Sequence, residues 1–121
     1  YVYLIYGMYW CLNLTSDKDD AGAVLIRAAE PLIGVEKMKK RRNTEKIMDI
    51  CSGPGKLCSA LGIDKRYNGL KIGKEIKIFD DGFKVGKILT SSRIGIKDAL
   101  DLQWRFFIEG NEYVSKVKIN K

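Results

Sequence analysis

Hydrophobic residues are concentrated at the start of the chain. Residues 1–16 carry no charge and contain four tyrosines and one tryptophan around a single glycine, Gly7. A second apolar run, 8–14, follows that glycine directly, and a glycine between two apolar runs is typical of the turn in a β-hairpin. The pattern therefore predicts a β-hairpin whose tip carries Tyr6 and Met8.

Apolar segments alternate with polar breaks in the middle of the chain. A break at 15–20 precedes an apolar segment that predicts a strand at 23–27. Helical composition then predicts helices at 36–42 and 44–50, and Asn43 is a suitable cap for the second.

The second half of the chain opens with a further helix and then changes to strand patterns. Ser52 can cap a helix that runs through Leu61, and Pro54 suits its first turn. Strands are predicted at 75–79 and 84–89 around an Asp81-Gly82 turn, and at 93–96, 103–109 and 113–119. These elements predict an α+β fold: a single domain, residues 1–121, with a mainly antiparallel sheet, a protruding aromatic hairpin and a few short helices.

The net charge adds a candidate class of partner. The chain has 22 basic and 15 acidic side chains, which gives a net charge of +7, and an excess of that size favours polyanions such as DNA. The basic residues cluster at 37–42, 65–66 and 71–77. Phosphate contacts by these runs would make binding fall steeply with salt, whereas solvated helix faces would not. The sequence leaves both interpretations open.

The three cysteines, Cys11, Cys51 and Cys58, indicate neither a disulfide framework nor a metal site. Their number is odd, the chain has no histidine, and their spacing does not match zinc motifs. We expect buried thiols in a reducing compartment. The uncharged start, interrupted by Gly7 and Asn13, is short for a membrane span of about 20 residues. No metal and no membrane contact is expected.

Aromatic side chains at a hairpin tip need a surface to cover them. Proteins that distort a duplex insert apolar or aromatic wedges between base steps, and enzymes that act on a base turn it into an aromatic pocket. Tyr1 and Tyr3 can line such a pocket while Tyr6 fills the vacated gap. The alternative is that these tyrosines pack in the protein core, as aromatic strands usually do.

Two polar residues lie in apolar strands. Arg27 lies in the apolar segment 23–29, where a guanidinium needs an anionic or hydrogen-bonding partner, and Glu30 could supply it in a purely structural salt bridge. Asn13 follows an apolar run, and its amide could simply bond the backbone at a turn.

Five blocks of sequence extend these interpretations: YVYLIYGMYWCLN, VLIRAAEPLIG, CSGPGKLCSALGID, SRIGI and WRFFIEGNEYVS. In order and spacing they resemble the alkyladenine DNA glycosylases, also called methylpurine or 3-methyladenine DNA glycosylases. The resemblance covers nearly the whole chain and implies roles for individual residues. By this resemblance, Arg27 matches an arginine that positions the attacking water, Tyr3 matches a residue of the pocket wall, and Asn13 matches an asparagine that rejects guanine. Tyr6 matches the residue that replaces the extruded base. Met8 and Tyr9 match its neighbours along the minor groove, and Lys65 matches a lysine near the DNA backbone.

The resemblance also implies an activity. Family members hydrolyse the N-glycosidic bond of alkylated or deaminated purines, such as 3-methyladenine, 7-methylguanine, hypoxanthine and ethenoadenine, after flipping the base, and so initiate base excision repair. The implied partner is double-stranded DNA that contains damaged purines, with no metal or organic cofactor. The complete protein is expected to be a monomer, cytoplasmic and nucleoid-associated in a bacterium or nuclear in a eukaryote.

The catalytic glutamate of the family lies in an N-terminal segment that precedes the tyrosine hairpin. None of the glutamates of this chain lies at that position, so we expect the chain to correspond to the C-terminal part of the glycosylase domain and to be inactive alone. Two alternatives stay open. One is a non-catalytic DNA-binding remnant, and the other is an RNA-binding or protein-interaction module.

Overall fold

The chain folds into two small antiparallel sheets and a group of short helices. The computed structural model describes residues 1–5, 9–15, 22–94 and 101–115, with the backbone alone for 3–5. Every described strand pair is antiparallel, and the predicted α+β class is confirmed.

The first sheet contains the aromatic start of the chain. Strands β1 (Val2–Ile5), β2 (Tyr9–Thr15) and β3 (Ala23–Leu25) are adjacent in that order. The register of β1 and β2 runs from Val2 opposite Leu12 to Ile5 opposite Tyr9. The two strands of the predicted hairpin are therefore confirmed, while the predicted tip residues Tyr6, Gly7 and Met8 lie outside the described residues.

Two strand limits differ from the prediction. Strand β2 includes Thr15, which the sequence pattern assigned to the polar break. Strand β3 ends at Leu25, so Arg27 lies after the strand and not inside it. The backbone N–H of Ile26 still donates to the carbonyl of Leu12 at 3.0 Å, and this bond holds the segment that carries Arg27 beside β2.

Three α-helices follow the first sheet: α1 (Val35–Arg42), α2 (Ile47–Ile50) and α3 (Pro54–Leu61), with a short 3-10 helix at Lys65–Tyr67. Pro54 occupies the first turn of α3 as predicted, because its missing N–H has no partner there. The N-cap of α3 is Gly53, with no side-chain cap bond, so the predicted capping role of Ser52 is wrong. None of the described helices is long and apolar enough to cross a membrane.

Asn43 caps the end of α1 and not the start of α2. Its backbone is left-handed, with φ 51° and ψ 48°, a conformation that Asn adopts more easily than residues with other side chains. Its N–H donates to the carbonyl of Lys40 at 3.2 Å, and the next N–H, that of Thr44, donates to Lys39 at 3.1 Å. The predicted role of Asn43 is therefore wrong, because the local hydrogen bonds close the helix that precedes it.

This cap gives a testable effect on stability. We expect Asn43→Ala to lower the free energy of unfolding by about 1 kcal/mol, because a Cβ without a local polar group penalises the left-handed conformation. Asn43→Gly is the matched control and should stay within about 0.5 kcal/mol of the parent chain, since glycine adopts positive φ freely. Urea unfolding followed by circular dichroism measures both, and equal losses in the two variants would contradict the assignment.

The core lies between the first sheet and the helices. Ile50, Leu57 and Cys58 are the largest fully buried side chains, and Val2 and Leu12 pack with them from the sheet. Helix α3 supplies the largest share because its apolar positions recur at helical spacing. The core thus fixes β1 and β2, the two aromatic strands, against α3.

The second sheet pairs β4 (Ile88–Ser91) with β5 (Arg105–Ile108). It is tied to the rest of the fold through Ser115, whose hydroxyl donates to the carbonyl of Ser52 at 2.6 Å. Its side chain at Phe106 is 67% exposed, and Trp104, just before β5, is 60% exposed. This sheet adds little to the core among the described residues.

Several predicted strands are wrong. Residues 75–79 and 84–87 are not strands, because most of their apolar side chains are exposed, Ile78 by 55%, Phe79 by 80% and Val85 by 47%, and a lone hairpin that buries little of either face is marginal. Residues 93–94 and 113–115 also form no strand. The remainders of the predicted strands at 93–96 and 113–119 lie outside the described residues.

Candidate nucleic-acid interface

Arg27 is a half-buried cation without a counter-ion among the described residues. Its Nε is buried and has no hydrogen-bond partner among the described residues. Burial lowers the pKa of Arg27, and the positive charge of Arg105 lowers it further. The salt bridge to Glu30 that the sequence allowed does not form, since no described carboxylate lies within 4.0 Å of the guanidinium. A guanidinium in this state is suited to accept an anion.

A second buried cation, Arg105, lies close enough to act on the first. Only 4% of Arg105 is exposed. Its Nη1 donates to Ser91 Oγ at 3.2 Å and its Nη2 to the carbonyl of Ser115 at 2.9 Å, and its guanidinium carbon lies 4.3 Å from the ring centroid of Phe107. All of these partners are neutral, and burial lowers the pKa of Arg105. The two arginines therefore concentrate positive charge in one place.

Sequence reasoning did not identify Arg105. The signal was available, because an arginine between Trp104 and Phe106 in an apolar segment presents the same problem as Arg27 in residues 23–29: a charge that must find a partner inside the fold. What the sequence could not provide is the proximity of the two arginines, which depends on how the two sheets pack.

Strand β2 brings a predicted pocket residue close to this charge. Asn13 and Cys11 are both buried, at 7% and 3% exposure, and they lie on the same side of the strand because they are two residues apart. Burial raises the pKa of the Cys11 thiol, and the nearby charge of Arg27 partly offsets the rise. Asn13 Nδ2 donates a long bond of 3.5 Å to the carbonyl of Cys11. Asn13 therefore bonds the backbone inside a strand, and not at a turn.

Two tyrosines, Tyr1 just before β1 and Tyr3 within it, lie opposite Asn13 and Cys11. The backbones of Tyr1 and Asn13 exchange hydrogen bonds of 2.8 and 2.9 Å, and Tyr3 is paired with Cys11. Tyr1 is 54% exposed, so the alternative that it packs in the core is wrong, while the side chain of Tyr3 lies outside the described residues. The structure thus brings Tyr1, Tyr3, Asn13 and Arg27 into one region.

Tyr9 lies at the other end of β2, next to the hairpin connection. It is 51% exposed, and one side of it rests on the first turn of α3, where a Cβ added to Gly55 would come within 2.9 Å of Tyr9 Cδ1. The absence of a side chain at Gly55 therefore allows this close contact. Tyr6 and Met8, the other predicted groove-contacting residues of the hairpin, lie outside the described residues.

Lys65 lies on the surface beside β1. It is exposed in the short 3-10 helix, and Asn68, which ends that helix, accepts a hydrogen bond of 3.1 Å from the backbone N–H of Val2 through Oδ1. Lys65 is therefore adjacent to the element that carries the tyrosines. Its predicted contact with the DNA backbone stays a prediction.

Most of the basic run on α1 has intramolecular partners. Lys39 pairs with Glu36 and Glu45 at 3.3 and 3.6 Å. Arg41 donates to the carbonyl of Ala60 at 3.0 Å, and Arg42 donates to the carbonyls of Ile50 and Asp49 at the end of α2 at 3.0 and 3.2 Å. These three residues thus join α1 to its neighbours, which neither of the two interpretations of the run anticipated.

The three cysteines are free, buried thiols, as predicted. Burial raises the pKa of Cys58 to about 11, which keeps it protonated and unreactive near neutral pH. Within the described parts of the chain, no three or more acidic or cysteine side chains are grouped as metal ligands would be.

Comparison with known proteins extends the interpretation. The family model for methylpurine-DNA glycosylase matches residues 1–112. Among curated relatives assigned as 3-methyladenine DNA glycosylases, those of Alkaliphilus oremlandii, Clostridium perfringens and Agrobacterium fabrum are 45%, 49% and 43% identical. Each match covers 96% of this chain but only 64%, 64% and 59% of the relative, so the chain spans a little under two thirds of these relatives. It belongs to the methylpurine-DNA glycosylase family.

Proposed function

We propose that this chain is the larger part of a DNA repair glycosylase that removes alkylated or deaminated purines from duplex DNA. The observation that supports this best is the pair of buried guanidiniums, Arg27 and Arg105, beside the strand that carries Asn13. Arg27 has an unpartnered Nε and no described carboxylate near it. In the proposed enzyme the missing anion is the catalytic glutamate, which the remaining third of the protein supplies.

The chemistry begins with extrusion of the damaged base. Flipping costs a few kcal/mol and is cheapest for a lesion that pairs badly, which contributes to selectivity. Tyr6 fills the gap in the duplex, and Tyr1 and Tyr3 stack on the flipped base. Their ring faces also attract the positive charge of an alkylated purine. Asn13 excludes guanine, whose exocyclic amino group would clash with the pocket.

Hydrolysis then replaces the bond between C1′ and the purine by a bond between C1′ and the oxygen of water. Water attacks C1′ of the deoxyribose, the glutamate accepts the proton of that water, and a bond forms between C1′ and oxygen. The bond from C1′ to the purine nitrogen breaks, and the base leaves with the bonding electrons. Arg27 holds both the carboxylate and the water, so that their geometry is fixed before the reaction. The products are the free base and an abasic site in an unbroken strand.

The chain by itself lacks a described carboxylate at Arg27, and its expected behaviour follows from that. We expect it to bind duplex DNA that contains one hypoxanthine, with an affinity that falls steeply with salt, and to produce no abasic site. Tyr6→Ala should weaken the binding because it removes the wedge that replaces the base. Fluorescence anisotropy measures the binding, and alkali treatment of the labelled strand reveals abasic sites.

The same experiment tests the alternative of an RNA-binding or protein-interaction module. Binding that does not depend on Tyr6, or a preference for single-stranded RNA over duplex DNA, would contradict the proposed function and favour an RNA-binding module. A far-UV circular dichroism spectrum of each variant confirms that the compared chains are folded.

A further inference from the structure

Val2 lies between the two tyrosines, Tyr1 and Tyr3, at the outer edge of the first sheet. Strand β1 pairs with β2 on one side, and no described strand lies on its other side. The backbones of Tyr1 and Asn13 exchange both of their hydrogen bonds. In an antiparallel ladder the next pair, here Val2 and Leu12, then exchanges none. The N–H of Val2 therefore points away from β2, and its partner has to come from outside the sheet.

Asn68 supplies that partner. Its Oδ1 accepts a hydrogen bond of 3.1 Å from the N–H of Val2, although the two residues are 66 positions apart in the chain. The side chain of Val2 is itself buried in the core, at 4% exposure. The bond from Asn68 therefore holds β1 at the residue whose two neighbours in the chain are the tyrosines.

The segment that carries Asn68 is anchored in the core. Asn68 follows the short 3-10 helix, and its N–H donates to the carbonyl of Lys65 at 3.1 Å. Ile63, before this helix, is 5% exposed, and Tyr67, its last residue, packs against the core. Because Asn68 is exposed, water can replace its oxygen as the acceptor at β1. Water would not, however, tie the strand to the helix.

We propose that Asn68 is a positioning residue for the base pocket, because its bond to Val2 fixes the backbone that carries Tyr1 and Tyr3. The inference rests on the proposed function, in which these two tyrosines stack on the flipped base. Asn68 acts through the strand and makes no contact with the reacting groups in this proposal. A displacement of about 1 Å far from the reacting atoms can lower a rate about 100-fold, so the tie between strand and helix affects catalysis.

Removing the side chain of Asn68 should slow base release more than it weakens general DNA binding. The test uses this sequence fused behind the N-terminal segment of the Clostridium perfringens relative. We expect Asn68→Ala to lower the saturating single-turnover rate of hypoxanthine release about tenfold, since β1 keeps its pairing with β2 and moves by less than about 1 Å. The affinity for an undamaged duplex, which depends on phosphate contacts, should change less than about twofold.

Partial unfolding cannot produce this result. It lowers the amount of competent protein, whereas the saturating rate belongs to the folded molecules alone. Asn68→Asp keeps an acceptor oxygen at the same place, so its saturating rate should stay within about threefold of the parent. Thr44→Val is the matched control, because it removes another side-chain acceptor of a backbone N–H, that of Lys46 at 3.3 Å. This variant should retain the parent rate.

A slow Asn68→Ala variant, together with recovery of the rate in Asn68→Asp, supports the inference. A saturating rate of Asn68→Ala equal to that of the parent overturns the inference alone. An equal loss of rate in Asn68→Asp or in Thr44→Val also overturns it alone, because the loss would then not depend on the acceptor oxygen at β1. If the fused parent protein releases no base, the proposed function fails, and the inference fails with it.

Discussion

Replacing Arg27 with glutamine should lower the rate of base release about 100-fold in the completed chain. By the completed chain we mean this sequence fused behind the N-terminal segment of the Clostridium perfringens relative. Arg27 is a half-buried cation whose Nε has no hydrogen-bond partner among the described residues, and a fixed charge aimed at the reacting groups is typically worth about 10²-fold to 10³-fold in rate. Glutamine keeps most of the volume and removes the charge. Single-turnover release of hypoxanthine from a labelled duplex measures the effect.

Two comparisons make this prediction specific. Arg27→Lys keeps the charge without the planar fork of donors, so its rate should fall between those of the parent and Arg27→Gln. Arg66→Gln is the matched control, because Arg66 is exposed and its described partner is Asp64 on the surface, at 2.9 Å. That variant should retain the parent rate. If Arg27→Gln releases base within twofold of the parent, Arg27 does not position the reacting groups.

Replacing Ile50 with alanine should destabilise the fold by about 2–5 kcal/mol, the usual cost of removing a fully buried aliphatic side chain. Ile50 is 0% exposed and lies in the core between α2 and α3, whereas Ile47, three residues earlier in the same helix, is 46% exposed. Ile47→Ala makes the same chemical change at the surface and should cost less than about 1 kcal/mol. Urea unfolding of the chain measures both values. Equal losses at the two positions would show that the core does not lie where the structure places it.

The parts of the fold that the sequence predicted well are those where periodicity and burial agree. The hairpin strands and α1 lie close to their predicted limits, and α3 begins at Pro54 as expected. The segment before the second sheet was predicted poorly. Its Asp81-Gly82 signal is a genuine turn pattern, and Asp80 Oδ1 does accept the N–H of Gly82 at 2.8 Å. The flanking residues nevertheless form no strands before Ile88, because most of their apolar side chains are exposed.

The candidate site, like the fold, could be predicted only in part from the sequence. The apolar surroundings of Arg27 revealed from sequence that its charge needs a partner, but the sequence also offered Glu30 for that role, and only the fold excludes it. Arg105 in β5 acts on Arg27, which follows β3 of the other sheet, and the ion pairs of Asp49 with Arg42 and Lys56 join three helices. Such long-range contacts have no periodic signal in a single sequence, so they become visible only in the folded chain.

The central proposal is that this chain carries part of a glycosylase site and that the catalytic glutamate comes from another segment of the protein. The most direct test is to incubate the completed chain and the present chain, each in excess, with duplex DNA that contains a single hypoxanthine, and to measure free base and abasic sites. The account predicts free hypoxanthine and an alkali-labile, otherwise intact strand from the completed chain, and neither product from the present chain. Tight binding of the lesion duplex by the completed chain without release of base would contradict it.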